Sequence, residues 1–302
     1  MSAAWFAADW GTSNLRLWPM DADDRPIAEL HSDQGMGSLS PDQFEGVLLA
    51  LSAEYLDQSR PTPVVICGMA GARQGWAEAP YAAVPCAPPS AADAIKAPVK
   101  TNTVVPYILP GVCQSAPADV MRGEETQIAG FLANDPDFDG VLCLPGTHSK
   151  WVHISAGEIV SFRTVMTGEI FALLSNQSVL RHSVAGDGWD EQAFAAGVDQ
   201  AMGRPAAVTA DLFSLRAQSL LQGQGNDTGR ARLSGLLVGM ELAGTKPYWL
   251  GQRVAILGNS SLAKTYKTAL AQQGVVAELT DAAQLTLNGL TAAYQTLKDT
   301  TA

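Results

Sequence analysis

Short apolar runs separated by glycine- and aspartate-bearing turns dominate the first seventy residues. Trp5-Phe6-Ala7-Ala8 and Leu15-Arg16-Leu17-Trp18 flank Asp9-Trp10-Gly11-Thr12-Ser13-Asn14. That spacing predicts two antiparallel strands joined by a tight turn. After the polar turn Asp21–Pro26, a third strand is predicted near Ile27 to His31, then a flexible loop, Gln34-Gly35-Met36-Gly37-Ser38. Ser40-Pro41-Asp42-Gln43 has the composition of a helix start, with Ser40 as cap and Gln43 completing a capping box. Phe44, Val47, Leu48, Leu51 and Tyr55 then recur at helical spacing, a stripe that faces a core. Pro63–Cys67 reads as a buried strand, and residues 68–73 as a loop leaving its C-terminal end.

Residues 77–100 are rich in proline and alanine and predict irregular structure. A strand follows at Val104 to Leu109. Residues 118–133 read as a helix with Asp119 as cap, and Asn134-Asp135-Pro136-Asp137 as a break. The second half then begins as the first did. Gly140–Leu144 is a strand, Pro145-Gly146-Thr147-His148-Ser149 a Gly-Thr turn, Lys150–Ile154 a strand, residues 155–158 a hairpin turn, and Ile159–Val165 a strand. Helices are predicted at 168–182, 190–202, 209–221 and 230–244, with a polar loop at 222–227. A strand at Arg253–Leu257, the turn Gly258-Asn259-Ser260-Ser261, a helix at 262–273, a strand at Val275–Leu279 and a final helix at 281–297 complete the chain. The expected domains are 1–134 and 135–302, with the final helix packing back on the N-terminal domain.

The bulk chemistry narrows the partners. The formal net charge is −11, from 19 Lys and Arg against 30 Asp and Glu. Nucleic acid is disfavoured, because phosphate contacts need clustered cations. The four cysteines are widely spaced with no Cys-x-x-Cys pair, which suits reduced thiols better than a disulfide frame or zinc site. Asp9 interrupts the first apolar run, no basic segment precedes it, and no uncharged stretch has the length of a membrane helix. The expectation is a soluble cytoplasmic protein without a membrane partner.

Gly11 lets the backbone approach a ligand, and the Gly-Thr-Ser amides and hydroxyls can line an anion nest. Asp9 beside such a nest calls for a cation, and Mg²⁺ held through water is the common solution. A plain Asp-Gly turn in a surface hairpin has the same local pattern. The repetition of the motif in the second half favours the ligand reading, since two related domains facing one another bring both Gly-Thr turns to one cleft.

This duplicated arrangement resembles the superfamily of acetate and sugar kinases, actin and the heat-shock chaperone ATPases. Asp9-Trp10-Gly11-Thr12 matches its first phosphate motif, Gly146-Thr147 its second, and Ile256–Leu262 its adenosine segment. Within the superfamily the chain is similar to the 2-dehydro-3-deoxygalactonokinase family, over most of its length. Four segments in order carry that similarity: residues 9–16, 121–127, 145–151 and 162–169. The resemblance implies an α/β fold of two related actin-like (ribonuclease H-like) domains with mixed sheets and a nucleotide cleft between them. It also implies ATP and Mg²⁺, and transfer of the γ-phosphoryl group to the 6-hydroxyl of 2-dehydro-3-deoxy-D-galactonate in galactonate catabolism. One departure stands out. Leu144 and Pro145 occupy the place where many sugar kinases carry the acidic base, so the base must come from elsewhere.

On this reading Asp9 is the Mg²⁺ partner, and Gly11, Thr12, Ser13, Gly146 and Thr147 bind phosphates. Gly258, Asn259 and Ser260 serve the adenosine. Glu125 is the first choice of base and Glu124 the second, because Arg122-Gly123-Glu124-Glu125 lies near a helix start, where the helix dipole and backbone donors favour a carboxylate. Lys150 is assigned to phosphate and Arg73 to substrate, with Arg122 and Arg163 as further cations. Gln34, Gly35 and Trp76 are placed at the sugar-acid pocket. His148 is weighed as an assisting group against a structural histidine, and His31, His153 and His182 as structural. A related keto-deoxy sugar acid such as 2-dehydro-3-deoxygluconate, or a non-kinase ATPase switch, stays open as an alternative, as does a homodimer. A dehydrogenase is disfavoured by the lack of Gly-x-Gly-x-x-Gly after the first strand.

Overall fold

The computed structural model describes residues 2–57, 59–258 and 260–301, with backbone alone for Thr300 and Thr301. Two compact units emerge. One takes the chain up to Phe138, Ser155–Ser161 and the segment from Ala282 on; the other takes Asp139–Ile154 and Phe162–Asp281.

In the first unit β1 (Trp5–Trp10) and β2 (Leu15–Met20) form the expected hairpin, with Asp9 opposite Arg16. β3 (Leu30–Ser32) is shorter and later than the apolar pattern implied. α1 (Phe44–Ser52) leads to β4 (Thr62–Gly68), which pairs parallel to β1. Gln43 accepts the Ser40 N–H at 2.8 Å, as a capping box requires. The Ser40 hydroxyl instead donates to Asp42, and the helix starts only at Phe44.

Alternation places β1 between two cores. Phe6, Ala8 and Trp10 face a cluster with Leu17, Phe44, Leu48 and Ile66. Trp5 and Ala7 face another with Trp18, Val65, Leu287 and Leu290. A strand buried on both faces is a central strand.

The proline-rich stretch holds β5 (Tyr81–Ala83) and β6 (Ile95–Lys96), and β7 (Val104–Ile108) completes the sheet order β3-β2-β1-β4-β7-β6. The helix expected over 118–133 is half wrong. β8 (Gly111–Ser115) and β9 (Ala118–Met121) form a hairpin, and β5 pairs with β8. Asp119 accepts the Val120 N–H inside that hairpin rather than capping a helix. α2 (Glu124–Asn134) starts only after Gly123, whose φ of 110° breaks the strand from the helix. The C-terminal helix, Ala282–Thr301, crosses α2 at two glycines. A side chain on Gly130 would overlap the Leu285 carbonyl, and one on Gly289 the Thr126 carbonyl.

The second unit repeats the plan. β10 (Gly140–Leu144) pairs antiparallel to β11 (Ser149–Ser155), and β12 (Glu158–Val165) lies beside β11. The turn between β11 and β12, at Ala156 and Gly157 with φ of 52° and 75°, falls in the stretch 155–161 grouped with the first unit. After α3 (Thr167–Asn176), α4 (Glu191–Gly203), α5 (Val208–Gln222), α6 (Asn226–Gly244) and the short α7 (Lys246–Trp249), β13 (Val254–Leu257) pairs parallel to β10. α8 (Ser261–Gln272) and β14 (Ala277–Thr280) follow. The order β12-β11-β10-β13-β14 reproduces β3-β2-β1-β4-β7, so the repetition read from the sequence is a repetition of topology. α6 begins inside the stretch expected as a polar loop at 222–227, and α3 stops six residues early. Among the described residues no helix is long and apolar enough to cross a membrane.

Candidate active site

In the first unit the β1–β2 turn opens on a cavity of about 450 Å³, lined by Asp9, Gly11 to Asn14, Arg16 and His31. The loop after β3 holds that turn in shape. Met36 N–H donates to Gly11 O at 3.0 Å, Gly37 N–H to Thr12 O at 2.8 Å, and the Trp10 indole to Gln34 O at 3.0 Å. A side chain on Gly35 would overlap the backbone of Thr12 and Ser13. Gln34 and Gly35 therefore act here through the turn they brace. Arg16 and His31 were not singled out as ligand residues. Arg16 donates to Asp9 Oδ2 at 2.6 Å, and the hairpin register alone puts the two opposite each other.

Asp9 leads inward to Glu125. Cys67, on β4, donates its thiol to Asp9 Oδ1 at 3.8 Å. Burial raises that thiol's pKa well above its usual value, and the negative charges of Asp9 and Glu125 add to it. One buried thiol thus senses both carboxyl groups. Gly68 and Gly123 meet where β4 ends and α2 begins: a Cβ on Gly123 would stand 3.3 Å from Gly68 Cα. Both Glu125 oxygens accept the Gly123 N–H at 2.8 Å, and the residue is 1 % exposed. Burial, helped by the Glu124 charge, pushes its pKa up to about 8 against the opposing effect of Gly123 and Arg122. Glu124 stays partly exposed and accepts the Arg122 N–H at 3.1 Å. The adjacent glutamates are therefore different chemical groups: one solvated, one buried and protonated near neutrality.

That difference has a thermodynamic consequence. Above the ordinary carboxyl range the unfolded chain has lost the Glu125 proton while the folded chain keeps it. Stability from this group is therefore complete at low pH and is lost as pH rises toward about 8, by up to about 1.4 kcal/mol per pH unit. Urea midpoints measured from pH 5 to 8 are expected to fall in the native chain and to fall less in Glu125→Gln. Equal slopes would show that Glu125 ionises normally. A residual slope is expected from Glu241, another buried carboxyl with a raised pKa.

The remaining first-unit candidates separate by burial. Arg73 is exposed and pairs with Glu78 at 3.4 Å. Trp76, placed at the sugar-acid pocket from the sequence, packs in the core of the first unit. It is buried against Phe44 and Trp10, and its indole N–H is taken by Pro98 O. Arg122 is 9 % exposed. Its Nη2 donates to Ala79 O at 2.8 Å, and its guanidinium lies 4.2 Å from the Tyr81 ring centroid. Among the described residues Nε and Nη1 have no acceptor. Each buried orphan donor costs about 1–3 kcal/mol.

In the second unit Gly146 and Thr147 open on a cavity of about 770 Å³. The start of α3 is pressed against this turn. Glu169 N–H donates to Thr147 O at 3.0 Å, His148 and Glu169 side chains meet at 2.6 Å, and a side chain on Gly168 would overlap Gly146 O. The reason for the Thr167-Gly168-Glu169 motif is thereby local. Lys150 is buried, with Nζ 3.3 Å from His148 O, and Arg163 is exposed on β12. The cavity walls are Phe171 of α3, Asp187 to Trp189 and Phe194 around α4, Arg230, Ser234 and Leu237 of α6, and Lys264 to Tyr266 of α8. Arg230 lies 5.0 Å from the Phe171 ring centroid. Thr167, Gly168, Ser261 and Leu262 also line the cavity, within the stretches 162–169 and 256–262 read from the sequence; the other wall residues beyond the Gly-Thr turn were not singled out. Gly258 adopts φ of 142° and donates to Thr280 O, and Ser260 caps α8 through Ala263 N–H. Asn259 lies outside the described residues.

Among the described residues no group of three or more His, Cys, Asp or Glu side chains could hold a metal by itself. Asp9, with the Thr12 and Ser13 hydroxyls on the same cavity, fits instead a hard cation that keeps most of its waters and arrives with a polyphosphate.

A model of the 2-keto-3-deoxy-galactonokinase family matches residues 9–293. A 2-dehydro-3-deoxygalactonokinase of Escherichia coli strain K12 is 34 % identical, the match covering 91 % of each chain. The crystal structure of a protein from Sinorhizobium meliloti assigned as a 2-dehydro-3-deoxygalactonokinase is 38 % identical, covers 97 % of this chain and 99 % of its own, and superposes with a TM-score of 0.89. The activator of 2-hydroxyisocaproyl-CoA dehydratase from Clostridium difficile, 11 % identical with 98 % and 96 % coverage and a TM-score of 0.50, shares the fold alone. The duplicated sheets are those of the actin-like ATPase and sugar kinase folds. On both sequence and structure, this chain belongs to the 2-keto-3-deoxy-galactonokinase family.

Proposed function

We propose that the chain transfers the γ-phosphoryl group of ATP to the 6-hydroxyl of 2-dehydro-3-deoxy-D-galactonate, releasing ADP and the 6-phosphate. Membership of the kinase family supports the reaction class and the acceptor. The observation that carries the mechanism is the buried Glu125 carboxyl, held near neutral pKa at the start of α2. A base suited to a hydroxyl at pH 7 has a pKa near the working pH, and Leu144 and Pro145 leave no acid at the second turn.

In this proposal Glu125 accepts the 6-hydroxyl proton as the new O–P bond forms and the β–γ bridging bond breaks. The second-unit cavity takes the nucleoside, its aromatic and apolar walls accepting the base. Gly146, Thr147 and Lys150 serve the phosphates there, and Gly11, Thr12, Ser13 and Arg16 in the first unit. Asp9 would hold Mg²⁺ through water, and the bound ion supplies charge neutralisation on the phosphates. Arg16 is the ion-pair partner of Asp9. The proposed place of action is the cytoplasm, where ATP is available.

A coupled ADP-release assay across keto-deoxy sugar acids tests this. ADP release is expected to depend on 2-dehydro-3-deoxygalactonate and to exceed that with the gluco epimer. Release indifferent to every sugar acid would overturn the proposal.

A further inference from the structure

Arg122 is a buried cation with two donors that meet no acceptor among the described residues. Carboxylates outnumber cations in this chain, yet no acceptor meets Nε or Nη1 among the described residues. Its nearest acidic neighbours in sequence are spent on backbone: Glu124 on the Arg122 N–H and Glu125 on the Gly123 N–H. The surroundings are shaped to the guanidinium. Its Cζ lies 4.2 Å from the Tyr81 ring centroid, Ala79 O fixes one nitrogen, and a Cβ on Gly71 would stand 2.8 Å from Nη1.

Such a group awaits an anion. The phosphate turn lies on a cavity lined by Asp9, Gly11 to Asn14, Arg16 and His31, and its own cation is Arg16. A planar guanidinium supported on a ring suits a planar carboxylate. The acceptor named above is a 2-keto acid, whose carboxylate and adjoining carbonyl oxygen together offer acceptors in one plane. Arg122 also stands three residues before Glu125, close enough for its charge to lower that carboxyl's pKa. One strand-turn-helix segment thus carries both the cation and the base.

We propose that Arg122 binds the carboxylate and 2-keto oxygen of the acceptor and makes the enzyme select sugar acids over neutral sugars. The inference rests on the kinase reading for the identity of that acid.

The test uses the full chain and its Arg122→Gln and Arg122→Lys variants. Binding of 2-dehydro-3-deoxygalactonate is measured by calorimetry. Turnover is measured with that acid and with the 3-deoxyhexulose that has CH₂OH in place of the carboxylate. Arg122→Gln is expected to weaken acid binding and raise its KM about 100-fold or more, with the KM for ATP and the KM for the neutral analogue unchanged; kcat for both acceptors shifts together, because the Arg122 charge also bears on Glu125. Arg122→Lys keeps the charge without the planar fork and is expected to recover only part of the loss. If Arg122→Gln does not fold, the lysine variant carries the same comparison. Native preference for the acid in these variants, or an equal rise in the KM for ATP, overturns the inference while the kinase reading stands. Arg122-dependent acid binding without turnover in the native chain overturns the kinase reading instead, and no acid binding at all overturns both.

Discussion

Glu125→Gln is expected to lower kcat about 10²- to 10⁴-fold, the range for loss of a general base, with ATP affinity unchanged. Glutamine keeps the shape of the side chain and can still meet the Gly123 N–H that now contacts both carboxylate oxygens. What it lacks is the ability to take a proton. The native rate should therefore rise with pH and level off above about 8, following the ionisation of a carboxyl whose pKa burial has raised to about 8. In the variant that ascending limb should vanish. The partly exposed Glu124 provides the control, since Glu124→Gln should keep the limb and lower its midpoint by removing a like charge. Near-native turnover in Glu125→Gln would move the base to another residue.

Gly130→Ala is expected to destabilise the first unit by about 3 kcal/mol or more, at the upper end for overpacking. The added methyl would overlap the Leu285 carbonyl oxygen, which is helix backbone and cannot rotate away. The C-terminal helix would have to lift from α2, opening contacts that bury Leu287, Leu290 and Ala293 against Trp5 and Val65. Gly289→Ala meets the Thr126 carbonyl in the same crossing, so the two losses should add to less than their sum. Gly46→Ala in α1, where nothing lies within 4 Å, should be neutral or slightly stabilising by its helix propensity. Chemical denaturation of the three variants checks this. A Gly130→Ala chain as stable as Gly46→Ala would mean that the close crossing is absent in solution.

The repeated strand-turn-strand pattern was legible because β1 and β10 are bounded by turns with distinctive residues, Asp9 to Ser13 and Pro145 to Ser149. That pattern, and the family segments threaded through it, led to the duplicated fold. The β8–β9 hairpin was not legible, because Ala118, Val120 and Met121 run without gap into a true helix and share its apolar spacing. Only Gly123, with its positive φ, separates the two. The partner of Asp9 could have been read. Asp9 and Arg16 are equidistant from the centre of a hairpin turn, so pairing across it follows from register. The second-unit cavity could not. Arg230, Ser234 and Leu237 recur along α6 at helical spacing, and a helix face that lines a cavity has the same period as one that lines a core. The orphaned donors of Arg122 depend on which carbonyls and carboxylates are already engaged, which no local pattern encodes.

The central claim is that the phosphoryl group leaves ATP for the terminal hydroxyl of a sugar acid. Incubation with γ-labelled ATP, Mg²⁺ and 2-dehydro-3-deoxygalactonate, followed by ³¹P NMR of the products, follows the group itself. Label in a phosphate ester at C6, with one ADP formed per ester, is the predicted result. Label only in inorganic phosphate, whether or not the sugar acid is present, would identify an ATPase and contradict the account.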